Sequence, residues 1–200
     1  MTAPARTVLL ALHYQNDVIH PEGRIRLGLA ADDPRRAAVL DAAARLIGGA
    51  RAAGVPIVHV RIAFRPDHAE VIRNGPLWDN VVRAGAVAEG SWGAAFYDGL
   101  GPLPAEHVVL HRRINAFFGS NLEETLRLLD AAALVIAGVA TNSVVEHTAR
   151  HAADMGLRVT VAADACAASR ADLHQAALDN IALIGTVASV GAVLGAWDGR

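Results

Sequence analysis

The sequence predicts an α/β fold: a three-layer, Rossmann-like α/β/α domain with a mostly parallel sheet of about six strands. Three observations carry this. Short β-branched and leucine runs alternate with alanine-rich stretches of helical length, the runs are apolar enough to be buried on both faces, and several stop abruptly at glycine or polar residues. No repeat, linker or low-complexity segment interrupts the pattern, so residues 1–200 read as one domain.

Taken in order, Thr7 to Leu12 is a buried strand emptying into the polar segment His13, Gln15, Asn16, Asp17. Asp33-Pro34 supplies an N-cap and a proline for a helix running to Ala53 and ending at Gly54. Val55 to Ile62 is the second strand. Residues 63 to 105 carry Phe64, Trp78, Trp92, Phe96 and Tyr97 and read as a long excursion with short helices over the sheet edge. His107 to Leu110 is the third strand, and Ser120-Asn121-Leu122-Glu123 has the pattern of a capping box opening a helix toward Leu129. Ala133 to Ala137 is a strand stopping at Gly138. A helix from Ser143 to Met155 follows, closed by Gly156, then a strand from Leu157 to Ala162, a helix from Ser169 and a last edge strand from Thr186 to Val190.

Composition narrows the function. Eighteen basic against 20 acidic residues leave a net charge of −2, with arginines scattered, so a nucleic-acid partner is not expected. No apolar run approaches the roughly 20 residues needed to span a bilayer. The start of the chain lacks a secretory cleavage pattern, and a cytoplasmic location is the expectation. Every basic residue is arginine, so no lysine ammonium is available to the chemistry, and the lone Cys166 excludes an intramolecular disulfide.

In open parallel sheets the ligand crevice lies beyond the carboxyl ends of the strands, where strand order reverses. The candidates are therefore His13 to Asp17, His111 to Phe117, and Ala140 to Val144. Arg113 and Asn115 fall at alternate positions after His111 and would share a face of an extended chain, where Arg113 could grip a carboxylate or pair with a loop acid. Trp92, between Ser91 and Gly93, is the best aromatic candidate for a pocket wall.

Three segments, LLALHYQND at 9–17, HRRINAFFGSNLEETLR at 111–127 and AGVATNSVVEHTARHAADMGLRVTVAADACAA at 137–168, resemble the isochorismatase-like or cysteine hydrolase superfamily. The resemblance covers nearly the whole chain. It implies a catalytic Asp, Lys and Cys at positions that here hold His13, His111 and Val144, so the usual thiolate nucleophile is missing. Cys166 lies in a segment the family does not use for catalysis and reads as a small buried apolar residue. The resemblance also implies a non-proline cis peptide at Val139-Ala140, backbone donors around Ala140 and Val144 aimed at a substrate oxygen, and a homodimer or higher homo-oligomer.

The expected function is that of a hydrolase or lyase acting on a small carbonyl- or carboxylate-bearing metabolite, in secondary metabolism, by non-covalent acid–base chemistry of His13 and His111, with His13 as acid. Gln15, Arg113, Asn115, Phe117, Trp92, Ala140 and Val144 would contact the substrate. No cofactor and no metal are expected. Two alternatives stand beside this: a catalytically silent relative serving as a ligand-binding or scaffold protein, and a metal-dependent hydrolase using histidine ligands such as His147 and His151.

Overall fold

The computed structural model describes residues 6–25 and 27–198. Among these, six strands form one all-parallel sheet: β1 (Thr7–Leu12), β2 (Ile57–Ile62), β3 (His107–His111), β4 (Ala133–Gly138), β5 (Arg158–Ala162) and β6 (Thr186–Ala188), in spatial order β3-β2-β1-β4-β5-β6. β1 is central and all six of its residues are buried, which is why its sequence has no polar alternation. The helices are α1 (Asn16–Ile19), α2 (Arg36–Ala52), α3 (Pro76–Ala84), α4 (Leu122–Leu128), α5 (Glu146–Asp154), α6 (Ala171–Ala182) and α7 (Val190–Asp198). Right-handed crossovers place α2 on one face and α5 and α6 on the other. α2 packs with α7, and α5 with α6, completing three layers.

The main core is built from β1 and β4 against α2, with Leu9, Leu10, Leu12, Leu46, Ile47, Leu134 and Ile136 all fully buried. Each such side chain contributes about 1.5–3 kcal/mol relative to exposure. The 63–105 excursion has a small core of its own, in which Phe64, Val71, Trp78, Val81 and Val87 meet Ile62 at the end of β2. It holds one helix: Pro76 opens α3 at its first position and Gly85, at φ 57°, closes it in the left-handed conformation.

Several boundaries differ from the sequence expectation for identifiable reasons. α2 starts at Arg36 because the Asp33 carboxylate accepts the Arg35 N–H and pairs with its guanidinium, closing a turn ahead of the helix. The capping box is half made: Ser120 Oγ accepts the Leu122 N–H, while Glu123 pairs with Arg127 one turn on. The fourth-strand helix begins as a wide π turn, Thr141–Val145, before α5. The last strand ends at Ala188, and the residues beyond it form α7, which the sequence reading missed. Ser189 Oγ accepts the Ala192 N–H and Asp164 accepts the Val190 N–H, so α7 starts on two side-chain acceptors that its apolar, glycine-broken sequence does not advertise.

Strand order turns between β1 and β4, the switch point where α/β sheets bind ligands. Gly138 allows the two strand ends to close there. A Cβ at this residue would stand 2.2 Å from the Leu12 carbonyl oxygen, and φ is 151°. The following Val139 N–H donates to that same oxygen at 3.2 Å.

Candidate active site

His13 is the first residue after β1, and it holds the left-handed φ of 57° with its N–H donating to Val60 O. His111 is the last residue of β3 and is fully buried. β2 lies between their strands, yet the two imidazoles meet beyond its end, stacked with centroids 4.7 Å apart and joined by an Nε2 to Nε2 hydrogen bond. The proton arrangement follows from the partners. His111 Nδ1 faces the Asn115 carbonyl at 3.2 Å, and a carbonyl only accepts, so Nδ1 carries the hydrogen. Nε2 of His111 is then the acceptor, His13 donates from Nε2, and Nδ1 of His13 is left with a lone pair.

Electrostatics keep both rings neutral. Burial, and then the second imidazole, hold His13 well below the ordinary histidine value. Burial brings His111 down to about 4 against the opposing pull of the Asn115 carbonyl. Both shifts favour the neutral imidazole near pH 7.

His13 forms part of the wall of a narrow, partly open cavity of about 40 Å³, beside Trp78, Arg113, Ile114, Ala140, Ser143 and Val144. His111 stands behind His13 and is not on this wall. The Val139-Ala140 peptide is cis, as the resemblance implied, and Val139 and Ala140 line the cavity together with Ser143 and Val144 of the π turn. The Arg113 guanidinium lies 4.1 Å over the Trp78 ring and donates to Ile72 O at 3.0 Å and Asn74 Oδ1 at 2.8 Å. No carboxylate pairs with it among the described residues, so the loop-acid alternative for Arg113 is not realised.

Other expected contacts fall elsewhere. Gln15 is fully buried and spends both amide hydrogens on Ile62 O and Ala94 O, while its oxygen accepts the Ile62 N–H. It ties β1 to β2 and the 91–97 loop and offers the cavity nothing. Asn115 accepts from Phe117 N–H and contacts His151 Nδ1, and Phe117 stacks on His151 with centroids 4.5 Å apart. Both brace the loop behind His111 rather than reaching the cavity. Trp92 is half exposed and packs edge-on against His20, away from the wall. The aromatic wall is Trp78, one of the excursion's aromatics, delivered by α3 together with Leu77 and Val81 and joined by Ile25 and Leu27, four aliphatic residues whose place on the wall has no signal in the sequence. The Gly75-Pro76 start and Gly85 stop around an apolar stripe were the available signal for that helix.

Several nearby polar groups are committed elsewhere. The Asp17 carboxylate accepts the N–H of Val87 at 2.7 Å and of Arg24 at 3.2 Å, and Thr141 Oγ1 meets His174 Nδ1 at 2.8 Å. The Cys166 thiol is buried against Ala162 O and pushed up to about 12 by burial, which leaves it inert. Among the described residues no three His, Cys, Asp or Glu side chains come together to hold a metal ion, and no helix is long and apolar enough to cross a membrane.

Comparison with known proteins agrees with this architecture. Residues 7–192 match the isochorismatase domain model. The chain is 33% identical over 143 residues to the isochorismatase family protein YecD of Escherichia coli O157:H7, covering 72% of this chain and 74% of that one. It is likewise 33% identical over 194 residues to the ureidoacrylate amidohydrolase RutB of Methylobacterium radiotolerans, covering 89% and 74%. A cysteine hydrolase from Pseudomonas syringae pv. phaseolicola superposes with a TM-score of 0.87 at 23% identity over 98% of this chain and 94% of that one, a likeness of fold. With its all-parallel sheet, its cis turn after β4 and these matches over most of its length, the chain belongs to the isochorismatase family of hydrolases.

Proposed function

We propose that the protein hydrolyses a small carbonyl compound bearing a carboxylate, and that it does so without a covalent enzyme intermediate. The observation that carries this reading is the lone pair on Nδ1 of His13, a neutral imidazole on the wall of a largely apolar cavity that also holds an arginine with no acid partner. Val144, on the same wall, offers no nucleophile.

In this reading Arg113 binds the substrate carboxylate in bidentate fashion, its fork already oriented by Ile72 O, Asn74 and the Trp78 face. His13 Nδ1 removes a proton from a water as that water attacks the carbonyl carbon. The carbonyl π electrons move to oxygen, where the backbone N–H groups of Ala140 and Val144 stabilise the oxyanion. The imidazolium formed on His13 keeps its Nε2–H on His111 Nε2, then returns the Nδ1 proton to the leaving group as the tetrahedral adduct collapses. His111 is a positioning residue: it fixes which nitrogen of His13 faces the cavity. At about 40 Å³ the cavity is narrow, which favours a small substrate.

The test is a screen of small acids carrying a hydrolysable amide, ureido or ester group, followed by a pH profile on the best substrate. A base with a depressed pKa gives kcat/KM that stays level from pH 8 down through 6.5 and falls only below it. Activity that rises steadily on acidification through 6.5 would restore His13 to the acid role. Unchanged turnover in both His13→Gln and His111→Gln variants would end the mechanism altogether.

A further inference from the structure

Outside the cavity, and sharing its wall, lies an open groove of about 690 Å³ between Arg24, Ile25 and Leu27 on one side and α3 on the other. Ile25, Leu27, Leu77 and Val81 belong to both linings, so groove and cavity adjoin along these apolar side chains. The groove has an apolar floor and two guanidiniums on its rim. Arg24 donates Nη1 to Gly85 O at 2.8 Å and to Ala84 O at 3.4 Å, which moors it on the C-terminal end of α3. Arg83 donates Nη1 to Asn80 Oδ1 at 2.9 Å, one turn back on the same helix.

Most arginines of the molecule are paired with a carboxylate within 4 Å, among them Arg6, Arg35, Arg51, Arg61, Arg73 and Arg112. Arg24, Arg83 and Arg113 have no such pair among the described residues, and all three lie along the line from groove to cavity. Arg24 and Arg83 are held by neutral acceptors and keep further N–H groups free of acid partners. A cation rim over an apolar floor, continuous with a cavity that has its own unpaired arginine, matches a ligand with an anion at each end and an apolar middle.

We propose that the groove is a distal binding subsite for the substrate. The reacting end sits at His13 with its carboxylate on Arg113, an alkyl or aryl segment crosses Ile25, Leu27, Leu77 and Val81, and a second anionic group, carboxylate or phosphate, is gripped between Arg24 and Arg83. The inference rests on the reading of the cavity given above, and it makes the substrate class an elongated diacid rather than a compact monoacid.

Calorimetric titration of the intact protein with linear α,ω-dicarboxylates of four to ten carbons, beside monocarboxylates of equal length, tests this. One diacid length should bind at least tenfold more tightly than its monoacid, with an advantage that shrinks as sodium chloride rises. Arg83→Gln should erase most of that advantage while leaving monoacid affinity and the thermal midpoint unchanged, and Arg83→Lys should keep part of it. Arg24→Gln should act in the same direction and serves as a second variant, because Arg83 touches only its own helix whereas Arg24 also braces the end of α3. Replacing the distal carboxylate of the best diacid by a phosphate at the same chain length shows which anion the rim prefers. A diacid advantage that is absent at every length, or that survives both Arg83→Gln and Arg24→Gln, overturns the subsite. Failure of the inner reading looks different: monoacid binding would then persist in Arg113→Gln, whatever the diacids do.

Discussion

Two buried histidine sites on neighbouring strands are built in opposite ways. On β2, His59 places Nε2 3.0 Å from Glu106, whose carboxylate also takes two hydrogen bonds from Arg51, at 2.8 and 2.9 Å, and one from the Leu103 N–H. The Arg51 guanidinium holds the Glu106 carboxyl down at about 2, and Glu106 pulls His59 upward against the stronger effect of burial. At the ends of β1 and β3, His13 and His111 have only each other and a carbonyl. A carboxylate fixes a histidine as a strut and uses its donor nitrogen. Burial lowers the histidine at both sites, but at the His13 pair no carboxylate opposes it and the ring borders the cavity. The same residue type is structural at the first site and suited to proton transfer at the second because of its partners, not its burial.

The largest test of that contrast is catalytic. His13→Gln is expected to lower kcat by roughly 10²–10⁴, the usual scale of a positioned base. His59→Gln should leave kcat within a few-fold and lower the thermal midpoint instead, as steady-state kinetics and melting curves on both variants would show.

The next concerns pH and stability. The lowered histidines bind fewer protons folded than unfolded, so their contribution is complete above the unfolded value near 6.5 and is lost as pH falls from there toward 4. For His111 alone the loss is about 3 kcal/mol. Glu106, lowered from 4.5 to about 2, contributes fully above 4.5 and loses its share as pH falls from 4.5 toward 2. Urea unfolding across pH 7 to 3 should therefore decline in two windows, and His111→Gln should flatten only the upper one.

Removing the strut is the third. Glu106→Ala strands Arg51 and His59 and is expected to cost roughly 3 kcal/mol by chemical denaturation, while the surviving folded protein keeps its kcat. A smaller effect belongs to Asp17, a carboxylate four residues from His13 that backbone N–H groups hold away from the imidazole pair. A Cβ at Gly93 would stand 2.0 Å from Asp17 Oδ2, so Gly93→Ala should destabilise by about 2 kcal/mol. The smallest is Trp92→Ala, where half exposure and a place off the cavity wall predict a stability change within about 0.5 kcal/mol and an unaltered KM.

The sheet was legible because parallel strands and their crossovers write their periods into local sequence, as in β1 and α2. The last helix was not, since α7 owes its start to Ser189 and to Asp164 from a distant turn. At the site, His13, Arg113, Ala140 and Val144 could be read from strand ends, where topology concentrates function. Gln15, Asn115 and Phe117 lie in the same segments, yet their side chains turn to backbone and to His151. Proximity in sequence to a strand end says which loop faces the ligand, but not which side chains in it do. Trp78 could be named as an aromatic of the excursion, but its place on the wall, beside Leu77 and Val81, was not legible because α3 reaches the site through the small core of the excursion.

The sequestered thiol of Cys166 and the absence of lysine have a practical consequence for labelling. Thiol-directed dyes find no reactive sulfur on the folded protein, and amine-directed acylating reagents find no lysine side chain. A single Ala84→Cys change, at an exposed position on the groove that the ligand's anion does not need, would then carry a maleimide fluorophore against a dark background. Its emission would report the arrival of a ligand at α3 without any wild-type residue having to be removed first.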